Sequence, residues 1–248
     1  LYHLAGGAVF SLLAGLPLAC SGATLPLLFH HMRRQASELG SLAGHIYSWN
    51  TVGSLLGALL GGYALLFWLD LDGVYRTALI ALVASACILS VRVGVARTSL
   101  QAAAIGVLVL AAISAAGEWR PELLATGLFR DREAAPFSQA GAVVAADRFG
   151  SELVFYDDDP TMSVAIRDYG GRGETVRALA TNGKGDGSTR EDYGTMALVG
   201  LIPALLTGQA EKSFVIGLGT GVSAGELAAL DDSRRVVVAE ISPGVSEG

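Results

Sequence analysis

Four long apolar runs, at 4–29, 42–69, 74–93 and 100–116, fill the first half of the chain. A helix needs ~20 such residues to cross a bilayer, and in lipid a lone segment satisfies its backbone only as a helix. The pattern therefore predicts four membrane helices, with Pro17 kinking the first. In the second, Gly53, Gly57 and Gly61 recur at intervals of four. That doubled G-x-x-x-G predicts a smooth groove against which another helix packs. His45, Tyr47, Trp49 and Asn50, at its start, read as interfacial. No ionisable residue lies deep in the other three runs, which speaks against proton- or ion-coupled transport.

Beyond position 117 the pattern changes. Residues 118–139 mix Trp119, Leu123, Leu124, Leu128 and Phe129 with arginines and acids, as in an amphipathic connector. Short β-like runs follow at 152–156, 161–168 and 176–181, separated by Asp157-Asp158-Asp159-Pro160 and Gly170-Gly171. This spacing predicts a small antiparallel meander, with the acid run as a solvated turn rather than a metal site. Asn182-Gly183 predicts a tight hairpin. A helix is expected from about 193 to 206, its start favoured by the charges of Glu191 and Asp192.

The run Ser213-Phe214-Val215-Ile216-Gly217-Leu218-Gly219-Thr220-Gly221 reads as a buried strand entering a glycine-rich turn. A helix from about 222 to 230 follows, then a second strand, Val236 to Ala239, ending in Glu240. The expected organisation is a transmembrane helical region (1–117), an amphipathic connector (118–141), a β-rich segment (142–210) and the start of a Rossmann-like α/β nucleoside-binding domain (211–248).

Charge sharpens this division. Up to Gly117 only eight residues are charged, whereas the remainder carries a net charge of −8. The mean hydropathy of +0.49 thus averages a membrane-like half with an acidic half. Acidity argues against a nucleic-acid partner and suits a cationic substrate. Cys20 and Cys87 sit in apolar stretches and read as packing residues, and His3, His30, His31 and His45 form no ligand set. No metal is expected. The arginines flanking the apolar runs balance, so charge leaves the orientation open. The chain opens on Leu1 rather than methionine and stops soon after the second strand, where a doubly wound sheet carries several more. It therefore reads as a fragment of a longer protein.

The candidate chemistry lies in the glycine turn. Gly217, Gly219 and Gly221 let the backbone turn sharply and approach a ligand that a Cβ would exclude. Glu240 follows Gly221 by nineteen positions, at a strand end where a carboxylate can bridge two ribose hydroxyls. A dinucleotide fingerprint wants glycine at 222, which is valine. The spacing looks more like the first motif of S-adenosylmethionine-binding enzymes. In the segment 181–192, three carboxylates could hold an amine or a ribose, and Asp186 is the candidate that faces the ligand.

These stretches resemble the spermidine synthases, the polyamine aminopropyltransferases, and above all their membrane-fused bacterial relatives. The resemblance is carried by Trp119 with Gly127-Leu128-Phe129, Thr161-Met162-Ser163-Val164, Asn182 to Thr189, Ile216 to Val222 and Glu240 to Val245. In the apolar half Gly22-Ala23-Thr24-Leu25-Pro26 and Tyr47 to Gly53 look like the same proteins. It implies a multi-pass inner-membrane protein with a cytoplasmic transferase domain. That domain would transfer an aminopropyl group from decarboxylated S-adenosylmethionine, as co-substrate, to a diamine such as putrescine. Gly217, Gly219, Gly221 and Glu240 would bind the nucleoside and Asp186 the amine. The general base would lie beyond Gly248, so this chain alone would be inactive. The expected partners are the bilayer and a small polyamine, and a homo-oligomer is compatible with the pattern. The chain departs from soluble relatives at Thr220, Asp186, Thr195 and Met196. An S-adenosylmethionine-dependent methyltransferase is the enzymatic alternative. A transporter or scaffold with a degenerate nucleoside-binding domain is the other.

Overall fold

The computed structural model describes residues 2–34, 38–93, 96–127, 151–171 and 174–248, and the chain divides into two compact units, Leu1–Gly62 and Tyr63–Gly248. The first unit is a pair of long helices, α1 (Tyr2–Met32) and α2 (Leu39–Gly61). Helix α1 continues through Pro17 and Pro26. Ile46 of α2 is the buried apolar residue of this unit. Beside it Leu25, Leu28 and Met32 of α1 and His45, Trp49 and Asn50 of α2 line a cleft of about 800 Å³.

Within the first unit the glycine stripe of α2 takes no partner at two of its three positions: a Cβ built at Gly53 or Gly57 meets no described atom within 4 Å. Helix α2 also stops earlier than the apolar run: Gly62 caps it, donating its N–H to the Ala58 carbonyl. A 3-10 turn, Ala64–Phe67, follows.

The second unit begins with that turn and an antiparallel pair, α3 (Leu71–Val93) and α4 (Ala96–Ala115). Here a lone glycine supplies the close approach. A Cβ at Gly106 of α4 would lie 2.9 Å from Val83 Cγ1 of α3 and 3.6 Å from Cys87 Sγ. Arg76 of α3 donates to Asp72 Oδ1 at 2.9 Å, to the Ile113 carbonyl at 3.2 Å and to the Gly117 carbonyl, satisfying carbonyls that the end of α4 leaves without helical partners. Of the four expected spans, three segments among the described residues, Gly6–Met32, Leu39–Phe67 and Leu71–Arg92, are long and apolar enough to cross a membrane. The apolar part of α4, Leu100–Ala115, is shorter. At the helical rise it covers about 24 Å of a hydrocarbon core about 30 Å thick.

After α4 the connector makes a single helical turn, α5 (Pro121–Leu124). Its remainder, from Leu128 onward, lies outside the described residues. Gly127 reaches the turn at Gly183, where a Cβ would collide with the Gly183 carbonyl. The meander expected from the β-like runs is present as four antiparallel strands in sequential order, β1 (Ser151–Asp158), β2 (Ser163–Gly171), β3 (Glu174–Thr181) and β4 (Lys184–Ser188). Asn182 and Gly183 join β3 to β4 with φ of 48° and 70°. Both central residues are thus left-handed, as a two-residue hairpin turn of the primed type requires. Helix α6 (Tyr193–Thr207) ends at Gly208, whose φ of 64° closes it in the left-handed conformation.

A parallel β-α-β unit completes the chain: β5 (Lys212–Ile216), α7 (Val222–Ala228) and β6 (Arg235–Ala239), with Lys212 opposite Arg235 and Ile216 opposite Ala239. A last short helix, α8 (Pro243–Glu247), starts at Ser242, whose side chain accepts the Val245 N–H. The core unites the two sheets. Val164, Ile166 and Leu179 of the meander pack on Val245 of α8, with Leu218 of the glycine turn against the same cluster. The described architecture is a helical N-terminal region followed by a small antiparallel sheet and a β-α-β unit.

Candidate functional site

The glycine turn takes the conformation its residues permit. Gly217, Gly219 and Gly221 have φ of 84°, 55° and 77°, a region closed to most side chains. Among the described residues no atom lies within 4 Å of a Cβ built at Gly217 or Gly219, so they leave open space beside the loop. The Gly217 N–H donates to the Ala239 carbonyl at 2.8 Å, extending the β5–β6 pairing into the turn. Gly221 donates to Leu218, closing a tight turn at 2.9 Å.

Glu240 stands directly across this loop. Its Oε2 accepts the Leu218 N–H at 2.7 Å, and its Oε1 accepts the N–H groups of Ile241 at 2.8 Å and Ser242 at 2.9 Å. Burial alone would raise its pKa, but these donors and the Gly219 N–H outweigh it and hold the carboxyl below its ordinary range. Glu240 is therefore ionised, aimed and already engaged by the backbone. Ribose hydroxyls would have to replace one or more of these N–H donors, since a carboxylate offers about four acceptor positions.

Asp186 sits where strand β4 bulges. Leu179 pairs with Gly187 and Ala180 with Gly185, leaving Asp186 as the extra residue. Its carboxylate accepts from Thr181 Oγ1 and lies 3.4 Å from Lys184 Nζ, both within its own hairpin. The next residue, Gly187, brings the strand to the glycine turn, for its Cβ would lie 3.2 Å from Thr220 Cγ2. Thr220 in turn donates to Met196 Sδ at 3.1 Å, and Ser223 Oγ donates to the Met196 carbonyl at 2.6 Å. Helix α6 thus backs the turn, with Gly200 close enough to Ser223 that a Cβ would stand 2.7 Å from its carbonyl oxygen.

The acid run before Pro160 is not the solvated turn expected of it. Asp157 and Asp158 belong to β1, and Asp158 and Asp159 are only 3% and 6% exposed. Asp158 Oδ1 accepts from Tyr156 Oη at 2.8 Å and from Ser163 Oγ. Burial first, and the Asp158 carboxylate second, push the Tyr156 phenol up, so it remains a proton donor. Asp159 opposes burial with five donors from Thr161, Met162, Ser242 and Gly244, and its carboxyl is held low. Asp157 lacks such help: burial and the charge of Asp159 push it up.

Two signals for these roles lie in the sequence. Asp-Pro-Thr is a turn whose aspartate can accept the following N–H groups, and Ser242-Pro243 is a cap followed by a first-turn proline. Ser188, 7% exposed, is a third such residue: its Oγ accepts the N–H groups of Glu191 and Asp192 at 3.0 and 3.3 Å, turning the chain into α6.

A second acidic region lines a cleft of about 450 Å³ at the start of α3, where Asp70, Asp72, Glu118 and Asp158 meet Trp68 and Trp119. Burial, then the charges of Asp158, Asp72 and Glu118, push the Asp70 carboxyl up. Among the described residues no cluster of His, Cys, Asp or Glu is arranged to hold a metal ion. A cleft of about 720 Å³ in the second unit runs along β5 between Val199, Pro203, Phe214 and Ile216, not over the glycine turn.

These features define a chain with apolar helices of membrane-spanning length and a left-handed glycine turn, faced by Glu240, on a β-α-β unit. Comparison of the chain with protein-family models, curated proteins and solved structures finds no match.

Proposed function

We propose that the protein is a membrane-anchored polyamine aminopropyltransferase of the spermidine-synthase kind. The observation that carries this reading is the pairing of Glu240 with the Gly217–Gly221 turn. The turn has three left-handed glycines and open space, and a depressed-pKa carboxylate faces it from the end of the adjacent parallel strand. That combination suits a thioadenosine nucleoside, with Glu240 exchanging backbone donors for the ribose diol. In this reading β5-α7-β6 is the opening of a Rossmann-like sheet, and the apolar helices anchor it to the inner membrane. The domain lies on the cytoplasmic side, where decarboxylated S-adenosylmethionine is made.

The reaction is a nucleophilic displacement. The diamine nitrogen attacks the aminopropyl carbon bound to sulfur; the C–N bond forms as the C–S bond breaks, and methylthioadenosine leaves with the sulfur electron pair. The ammonium so formed loses a proton to a base or to water. The −8 charge of the segment after Gly117 favours a cationic acceptor. Asp186, beside the glycine that touches Thr220, reaches the amine by releasing Lys184 and Thr181.

The test supplies decarboxylated S-adenosylmethionine and putrescine to the native protein in membranes and measures methylthioadenosine and spermidine. Both products in equal amounts support the proposal. A folded protein that makes neither, yet forms S-adenosylhomocysteine from S-adenosylmethionine, is a methyltransferase instead.

A further inference from the structure

We propose that Asp159 is a positioning residue for the nucleoside pocket: through Ser242 it holds the turn that aims Glu240 at the glycine loop. This rests on the reading that the loop binds a thioadenosine nucleoside. Asp159 lies between β1 and β2, 83 residues from Ser242 in sequence, and is 6% exposed. Its two oxygens divide the work. Oδ1 accepts the Thr161 N–H at 2.6 Å, the Thr161 hydroxyl at 2.5 Å and the Met162 N–H at 3.0 Å, which anchors it to its own loop. Oδ2 accepts from Ser242 Oγ and from the Gly244 N–H at 3.3 Å, which carries that anchor across to the end of β6.

Ser242 is 1% exposed and tied on three sides. Its hydroxyl proton goes to Asp159, its oxygen accepts the Val245 N–H at 3.1 Å, and its own N–H donates to Glu240 Oε1 at 2.9 Å. A continuous path therefore runs from Asp159 through Ser242 to Glu240, and from Glu240 Oε2 to the Leu218 N–H of the glycine loop. Every hydrogen-bond partner of Asp159 is a donor, so only a carboxylate answers them all. An asparagine of the same shape must turn its NH₂ toward one set of donors, leaving the other satisfied.

The experiment measures the affinity of the full chain, in nanodiscs, for methylthioadenosine and for its 2′-deoxy analogue, by calorimetry. Wild type should prefer the ribonucleoside by about tenfold, the worth of one hydrogen bond to a charged group. D159N should lose most of that preference while α-helical and β circular dichroism stay unchanged. The double variant D159N/E240Q should discriminate no less than E240Q alone, because both act on one contact. S242A cuts the same path at its other end and should give the same loss, which covers the case that D159N does not fold. Faster hydrogen exchange at Leu218 in D159N provides a readout without ligand. If D159N and S242A keep the wild-type preference, Asp159 is a structural pin and the inference falls alone. If wild type binds neither nucleoside, the inference falls together with the reading beneath it.

Discussion

Asp158 Oδ2 accepts a hydrogen bond from the backbone N–H of Leu71 at 3.2 Å, so a strand of the meander caps the first turn of an apolar helix. The first N–H groups of a helix have no partner within it, and here the partner comes from 87 residues further along the chain. Replacing Asp158 with alanine strips an acceptor from Leu71, Tyr156 and Ser163 together. The expected loss is about 1–3 kcal/mol, the cost of leaving buried donors unpaired. Denaturant unfolding in detergent should show it, with faster exchange of the Leu71 amide. Unchanged exchange there would mean that water replaces the cap without cost.

Gly106 is the close-approach glycine of the α3–α4 pair. Gly106→Leu should lower stability by about 1–3 kcal/mol, as for overpacking of a filled interface, because Val83 Cγ1 already stands 2.9 Å from the position of a Cβ. Gly53→Ala and Gly57→Ala meet open space and should stay within ~1 kcal/mol of wild type. Thermal unfolding of the three variants in one detergent decides the matter. Equal losses at all three positions would contradict the space beside Gly53 and Gly57.

Glu240→Ala should weaken methylthioadenosine binding by ~1–3 kcal/mol, the worth of charge-assisted hydrogen bonds to a ribose diol. Calorimetry gives the value directly. Because Glu240 also holds the N–H groups of Leu218, Ile241 and Ser242, the variant should show looser exchange at these amides as well. Unchanged affinity would leave Glu240 a clamp on the loop and nothing more.

Acid should unlock the meander from the β-α-β unit. Asp159 and Glu240 have folded pKa values below their unfolded ones. Their stabilisation is thus complete above the unfolded values, near 4, and is lost as pH falls through the folded ones. Asp157 and Asp70 are shifted upward, so their protonation relieves an unfavourable charge first, on the way down from neutral pH. Stability should therefore rise slightly before it falls. Denaturant midpoints from about pH 7 to about pH 3, a range that brackets the ordinary carboxylate values near 4, check the shape, and D159N should flatten the acid limb.

Local signals in the chain carried most of its elements. The hairpin was readable because Asn182 and Gly183 are residues that accept positive φ, and the glycine turn because Gly217, Gly219 and Gly221 do the same. The parallel strand pair was readable from two β-branched runs on either side of a helical one. The long-range contacts of Asp158 and Asp159 were not, since their partners Leu71 and Ser242 are brought to them only by tertiary folding. An acid run beside proline looks solvated until something covers it. Gly53 and Gly57 show the reverse limit: they have the spacing of a packing motif, but α1, the helix of the same unit, does not pack on them.

The outer edge of β5 has a consequence of another kind. Among the described residues β5 pairs only with β6, and Phe214 and Ile216 are 65% and 85% exposed beside the cleft it borders. In the reading of β5-α7-β6 as the opening of a larger parallel sheet, this edge is where the next strand pairs, and Phe214 and Ile216 are the side chains that helices laid on the two faces of such a sheet cover.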